Sequence, residues 1–282
     1  MRNELCCIMS ILESIIYGIV SGFAEFLPVS SQGHQAVMMR LFGLDIREPL
    51  RDLLVHLAVL AALLFSCRNT IARLRREQAI VSRSRRKRTY EFSGIFDLRL
   101  VKTAALPMMV LLIVYRQSAS IESRPLALSG AFLVNGIVLL IPEYLRQANK
   151  NSRAMSGFDG ILLGVFSGFS CVPGISRIGC GMGIMTIRGA DRTHALNWAL
   201  LLSIPALIIW IVFDFVSLFL LGTAGITFLG FLSCLLCMGF AFAGGLMGIS
   251  FIRFVAEKTG FSSFAYYSFG AAMFTFVLYL IA

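Results

Sequence analysis

Gly18-Ile-Val-Ser-Gly-Phe23 returns later in the chain as Gly164-Val-Phe-Ser-Gly-Phe169. Pro28-Val-Ser-Ser31 follows the first copy and Pro173-Gly-Ile-Ser176 the second, with Gly-to-Pro separations of ten and nine residues, a slip of one. Each copy breaks an apolar stretch with Gly, Ser and Pro, so neither reads as an ordinary crossing. Both read as re-entrant hairpins, over 8–43 and 158–190, that return to the side from which they came. Three apolar runs follow each hairpin: 49–67, 101–115 and 125–142 after the first, and 195–221, 224–249 and 262–282 after the second. The chain therefore divides into halves, 1–142 and 143–282, of opposite orientation. Such an inverted repeat places its site where the halves meet. Small residues also serve close helix packing in membranes, but packing alone does not call for Gly, Ser, Phe and Pro to recur together.

The composition agrees with that division. Of 282 residues 57% are hydrophobic and 14% charged, and the mean hydropathy is +0.81. The expected fold is an all-α integral membrane protein with about six transmembrane helices and two re-entrant helical hairpins. The run 101–115 spans only about 22 Å at about 1.5 Å per residue, so it must borrow flanking residues or tilt little. Pro107 and Pro205 lie inside crossings and are expected to kink them. Met1 to Ser10 holds Arg2 as its one basic residue and no cleavage pattern follows, so no removable signal peptide is expected. The seven cysteines are odd in number and scattered over apolar segments, which suits small buried side chains. Cys234-Leu-Leu-Cys237 lacks the second ligand pair that a zinc site needs.

A formal charge of +10 raises the question of nucleic acid, and its distribution answers it. Between Arg68 and Lys102 stand eleven basic residues against three acids, flanked by apolar runs. That is the signature of a cytoplasmic loop, taken as 68–100, beside anionic lipid headgroups. Nucleic acid is not an expected partner; membrane lipids are. With that loop inside, alternation puts sixteen Lys and Arg in inside loops and five in outside loops, and both termini outside. The run Arg83-Ser-Arg-Arg-Lys-Arg88 reads as a solvated, lipid-facing cluster and as the least ordered part of the chain.

The two breaks also hold the chemistry. The first reads Glu25-Phe-Leu-Pro28-Val-Ser30-Ser31-Gln32-Gly33-His34, which places a carboxylate, two hydroxyls, an amide and an imidazole in one apolar hairpin. The second reads Pro173-Gly174-Ile-Ser176-Arg177-Ile-Gly179 and adds a guanidinium and another hydroxyl. Ionisable groups at membrane depth are costly and usually face a cavity or a partner. Arg177 offers a planar fork of donors to phosphate oxygens, and Gly-rich turns leading into helices turn backbone N–H groups toward an anion. Glu25 and Arg177 also suit a structural ion pair between the halves, His34 a hydrogen-bonded packing residue, and Ser30, Ser31 and Ser176 helix caps.

These motifs resemble the two signatures of the undecaprenyl-diphosphate phosphatase family of the BacA type. Gly189-Ala-Asp-Arg-Thr-His-Ala195 and Ser203-Ile-Pro205 also suit that family. The resemblance implies a bacterial inner-membrane enzyme that hydrolyses undecaprenyl diphosphate to undecaprenyl phosphate, recycling the lipid carrier of cell-wall synthesis, with a site opening outward. It implies Glu25, Ser31, His34 and Arg177 as catalytic residues, and Ser30, Gln32, Gly174, Ser176 and Arg177 as contacts to substrate phosphate. It also implies a divalent cation, Mg or Ca, held in part by Glu25, with no organic cofactor. The partners implied are a polyprenyl diphosphate lipid and a second copy of the chain in a homodimer. Either Ser31 or His34 is placed to attack phosphorus.

The chain departs from the family pattern at Ser21, where a Glu or Gln is usual, at Ser167, where Gln is usual, at Gln32, where Ser or Thr is usual, at Ile178, where Ser is usual, and at Gly181, where Thr is usual. Loss of those groups leaves a second function open, the transport of a polyprenyl phosphate or another anionic lipid without hydrolysis. An inverted repeat is natural for alternating access.

Overall fold

In the computed structural model of the chain the described residues are 9–44, 48–83, 93–114, 124–144, 150–221, 227–258 and 261–281. They form ten α-helices, three short 3-10 turns and no strand. The helices are α1 (Ile11–Glu25), α2 (Ser31–Leu41), α3 (Pro49–Arg83), α4 (Ser93–Val114), α5 (Pro125–Leu140), α6 (Gly157–Gly168), α7 (Arg177–Ile187), α8 (Arg192–Leu221), α9 (Phe228–Lys258) and α10 (Ser262–Ile281).

Five of them are long and apolar enough to cross a membrane: Pro49–Ser82, Pro125–Tyr144, Arg192–Leu220, Phe228–Lys258 and Ser262–Ile281. This is an all-α membrane protein. The expected crossing 101–115 overlaps α4, whose 22 residues reach about 33 Å; residue 115 lies outside the described residues. Asp97, Arg99 and Lys102 lie in its first half, and it is not among the five helices long and apolar enough to cross. Pro107 and Pro205 both lie inside helices, α4 and α8.

The basic stretch expected as a loop over 68–100 is largely helical. Helix α3 runs on to Arg83 and α4 begins at Ser93. The period of the crossing continues through Leu74, which is buried, while Arg73 forms ion pairs with Glu77 and Asp97. Residues 84–88 of the basic run lie outside the described residues.

Corresponding helices begin alike. Ser10 caps α1 and Ser156 caps α6, each in a capping box, with Glu13 in the first and Asp159 in the second returning a bond to the cap backbone. Helix α1 then packs on α9, and α6 on α4. Both contacts run over glycines. A Cβ on Gly22 would stand 2.0 Å from the Ala241 carbonyl oxygen, and one on Gly164 2.1 Å from that of Ala104. Backbones approach this closely only where the side chain is absent.

Most of the other helix contacts pair off in the same way, although α7 packs on α8 with no comparable contact of α2 on α3. Helix α3 packs on α9 as α8 packs on α4, α1 on α2 as α6 on α7, while α3 meets α8 and α5 meets α10. Exchanging α1–α5 with α6–α10 in order turns each of these contacts into another member of the set or into itself. At the centre of the arrangement the break between α1 and α2 faces the break between α6 and α7.

Candidate functional site

Both breaks are fastened by serines. Ser30 Oγ accepts from Gly33 N (3.3 Å) to cap α2 and from Gly174 N (3.0 Å) in the opposite break. Ser176 Oγ accepts from Gly179 N (3.1 Å) to cap α7 and donates to Leu27 O (3.0 Å) in the first break. Each cap is thus also a cross-link. Ser30 holds φ at +65°, uncommon for a residue with a side chain. Gly174 holds φ at +100°, and a Cβ there would stand 2.6 Å from that of Ala131. Asn135 of α5, fully buried, ties both breaks together: its Nδ2 donates to Pro28 O and Ser268 Oγ (3.0 Å each), and its Oδ1 accepts from Ser176 N (2.8 Å).

That clamp leaves Glu25, Ser31 and Arg177 in contact. Arg177 Nη2 donates to Glu25 Oε1 at 2.5 Å, and the Ser31 hydroxyl donates to Glu25 Oε2. Arg177 Nε donates to Ser203 Oγ (3.1 Å), whose own proton goes to Ala199 O (2.9 Å). The Arg177 and Glu25 side chains are 6% and 8% exposed. Burying both charges costs several kcal/mol each in desolvation, of the order of what their attraction returns.

The cluster lines one side of a polar cleft whose other walls are His56 of α3, Trp210 of α8 and Ser170, together with Ser30, Gln32 and Ser176. Its accessible space is about 20 Å3, that of a single water. A phosphate entering here must take the place of the Glu25–Arg177 contact. His56 Nδ1 meets Asp214 Oδ2 at 2.5 Å, and its ring stacks over Trp210 at 6.2 Å. The Ser170 hydroxyl has no hydrogen-bond partner among the described residues.

Glu25, Ser30, Ser31, Gln32, Ser176 and Arg177 therefore come together on one cleft, with Gly174 bound behind it. His34 does not join them. Its Nδ1 bonds to Ser30 O (2.7 Å), its Nε2 to Tyr267 Oη (2.8 Å), and its ring stacks on Tyr267. It faces a neighbouring apolar cavity of about 500 Å3 between α1, α9 and α10, lined by Phe23, Leu27, Val29, Phe251, Phe264 and Tyr267 among others.

Of the substituted family positions only Gln32 lines the cleft. Ser21, Ser167, Ile178 and Gly181 are buried behind it, and the Ser21 and Ser167 hydroxyls have no partner among the described residues. A Cβ on Gly181 would stand 2.6 Å from Ser167 Oγ. His56, Asp214 and Asn135 were not singled out from sequence, and Ser203 was noted only within Ser203-Ile-Pro205 as suiting the family. Asp214 and His56 carried a usable signal, since each is an ionisable residue inside an apolar run; Asn135 carried none.

Of the cleft residues Glu25 alone offers a carboxylate, so it would hold a divalent cation only together with oxygens of a bound phosphate. Among the described residues no three or more of His, Cys, Asp and Glu form a metal-holding group, and both oxygens of Glu25 are engaged.

A protein-family model described as bacitracin resistance protein BacA matches residues 14–274. The chain is 29% identical over 260 residues to an undecaprenyl-diphosphatase of Carboxydothermus hydrogenoformans, covering 92% of this chain and 94% of that one. It is 30% identical over 263 residues to an undecaprenyl-diphosphatase of Methanococcoides burtonii, covering 91% and 94%. It is 28% identical over 276 residues to undecaprenyl-diphosphatase 1 of Shouchella clausii, covering 95% and 96%.

Proposed function

This chain belongs to the bacitracin resistance protein BacA family, and from that premise we propose that it hydrolyses undecaprenyl diphosphate to undecaprenyl phosphate and inorganic phosphate, recycling the lipid carrier. The observation that carries the reading is the Glu25 carboxylate, which holds a hydroxyl on one oxygen and a guanidinium on the other.

The terminal phosphate of the substrate draws the Arg177 fork away from Glu25 and takes both of its N–H arms. Ser203 keeps the guanidinium plane fixed during that exchange. Glu25, relieved of its cation, takes the Ser31 proton as Ser31 Oγ attacks phosphorus. Charge developing on the phosphoryl oxygens is met by Arg177 and by the backbone N–H groups at the starts of α2 and α7. His34 has both ring nitrogens engaged outside the cleft, so it supports the break and does not attack. The apolar cavity beside His34 suits the isoprenoid tail, which enters from the bilayer while the diphosphate reaches the cleft. Magnesium or calcium, on this reading, arrives complexed to the diphosphate.

The paired capping boxes and the exchange of helix contacts support an inverted repeat of halves 1–142 and 143–282, with α1–α2 and α6–α7 as its re-entrant hairpins. The Lys and Arg count supports a bacterial inner-membrane location with both termini and the cleft outside. A homodimer is proposed with them, untouched by any contact within one chain. The test of function is incubation of the purified protein in detergent with undecaprenyl diphosphate. Release of inorganic phosphate with equimolar undecaprenyl phosphate is expected. Binding of the lipid without release points instead to the transport of an anionic lipid.

A further inference from the structure

The Glu25–Ser31 contact accounts for the proton on the attacking serine, but not for a proton given to the departing lipid phosphate or taken from the water that follows. A positioned acid and base would speed both steps. We propose that His56, oriented by Asp214, is that group, an acid and base acting from the same cleft as Ser31; this rests on the phosphatase reading above.

Three observations carry the assignment. His56 lines the same small cleft as Glu25, Ser31 and Arg177, although it comes from α3, outside either break. Its Nδ1 is taken by Asp214 at 2.5 Å, which fixes the ring and leaves Nε2 as the nitrogen for the cleft, the arrangement that serves histidine bases oriented by a carboxylate. Trp210 stacks on the ring, and like Asp214 it stands on α8, one helical turn away from it, so a single helix face sets both plane and tautomer. A buried imidazole–carboxylate pair inside two apolar helices is costly for structure alone. The charged groups about His56 are Asp214 of α8, Glu25 of α1, Arg177 of α7 and Asp52 of its own helix.

The steps balance. With His56 protonated, Ser31 Oγ bonds to the terminal phosphorus as the bridging P–O bond breaks; Glu25 receives the serine proton and His56 Nε2 gives its proton to the leaving undecaprenyl phosphate. Water then bonds to phosphorus and the Oγ–P bond breaks. Nε2 takes the proton of that water, Glu25 returns its own to Ser31, and inorganic phosphate departs. Arg177 stays on the phosphoryl oxygens throughout.

The test uses the full chain in detergent with undecaprenyl diphosphate as substrate. His56→Gln is expected to lower kcat about 100-fold or more with KM within about threefold, general acid–base groups supplying about 100–10,000-fold. It should also remove one limb of the pH–rate profile. His56→Ala is expected to regain part of its rate on addition of imidazole, which a packing role would not produce. The double variant His56→Gln, Asp214→Asn removes both charges together, so it keeps the test sound if His56→Gln alone is unstable. A folded His56→Gln or double variant within about threefold of wild-type kcat, with an unchanged pH profile, overturns the assignment and leaves the phosphatase reading standing. A wild type that releases no phosphate overturns both.

Discussion

The break between α1 and α2 and the break between α6 and α7 are built on one plan and equipped differently. In both, twelve residues separate the first glycine from the cap serine, Gly18 from Ser30 and Gly164 from Ser176, and a glycine follows three residues later, Gly33 and Gly179. Both cap serines bond to that glycine and to the opposite break. At the next position the likeness ends: Ser31 stands in the first break and Arg177 in the second. Counting in the same register, Glu25 faces Cys171 and His34 faces Cys180. What the breaks share holds the backbone; on the function proposed above, what they do not share does the chemistry, with Arg177 binding the anion and Glu25 and Ser31 supplying the nucleophile.

If that division is right, substitutions at differing positions should cost activity and those at matching positions should cost stability. The largest effect is expected at Arg177. Arg177→Ala should lower phosphate release about 100–1000-fold, as loss of one fixed electrostatic stabiliser does. Arg177→Lys should also be severely impaired, because the ammonium lacks the planar fork. A near-normal rate in a folded Arg177→Ala would remove the distinction between the halves.

Next come the glycines. Gly22→Ala brings its methyl against the backbone of α9, where the helices must move apart, at a cost of about 1–3 kcal/mol. Gly168→Ala meets Leu111 Cδ1 at 2.7 Å, which can turn away, and Leu111 Cβ at 2.9 Å, which cannot, but no atom as close as the carbonyl oxygen at Gly22, so it should cost less. Thermal unfolding of both variants with phospholipid present decides it; equal losses would show that the helix contacts do not differ as described.

Smaller still are the caps. Ser30→Ala and Ser176→Ala should each destabilise by about 1 kcal/mol, and the double variant should lose less or more than their sum, because the two residues bind each other's break. Strict additivity in a double-mutant cycle would sever that coupling.

Much of this was legible in the sequence because the deciding signals are local. Apolar runs gave the crossings, and the recurrence of Gly-x-x-Ser-Gly-Phe gave two matching breaks with the carboxylate and guanidinium that meet at 2.5 Å. Elements whose meaning depends on distant partners were not legible. His56 and Asp214 lie 158 positions apart and become a pair only when α3 packs on α8. Asn135 is one polar residue in an apolar helix, and nothing local says that it binds both breaks. The motif spacing set His34 three residues after Ser31 on the same helix, yet Tyr267 of α10 holds its ring at the apolar cavity, away from the cleft. Helix α3 outran its apolar segment because a basic, solvent-facing continuation keeps the helical period without keeping the hydropathy.

The most direct test of the account is a side-by-side assay of inorganic phosphate release from undecaprenyl diphosphate by wild type, Ser31→Ala and His34→Ala, each shown to be folded by monodisperse elution. The account predicts an active wild type, His34→Ala within about tenfold of it, and Ser31→Ala about 100–1000-fold lower, the loss expected when a transition-state group is removed. An active Ser31→Ala beside an inactive His34→Ala would move the nucleophile to the imidazole and contradict the account.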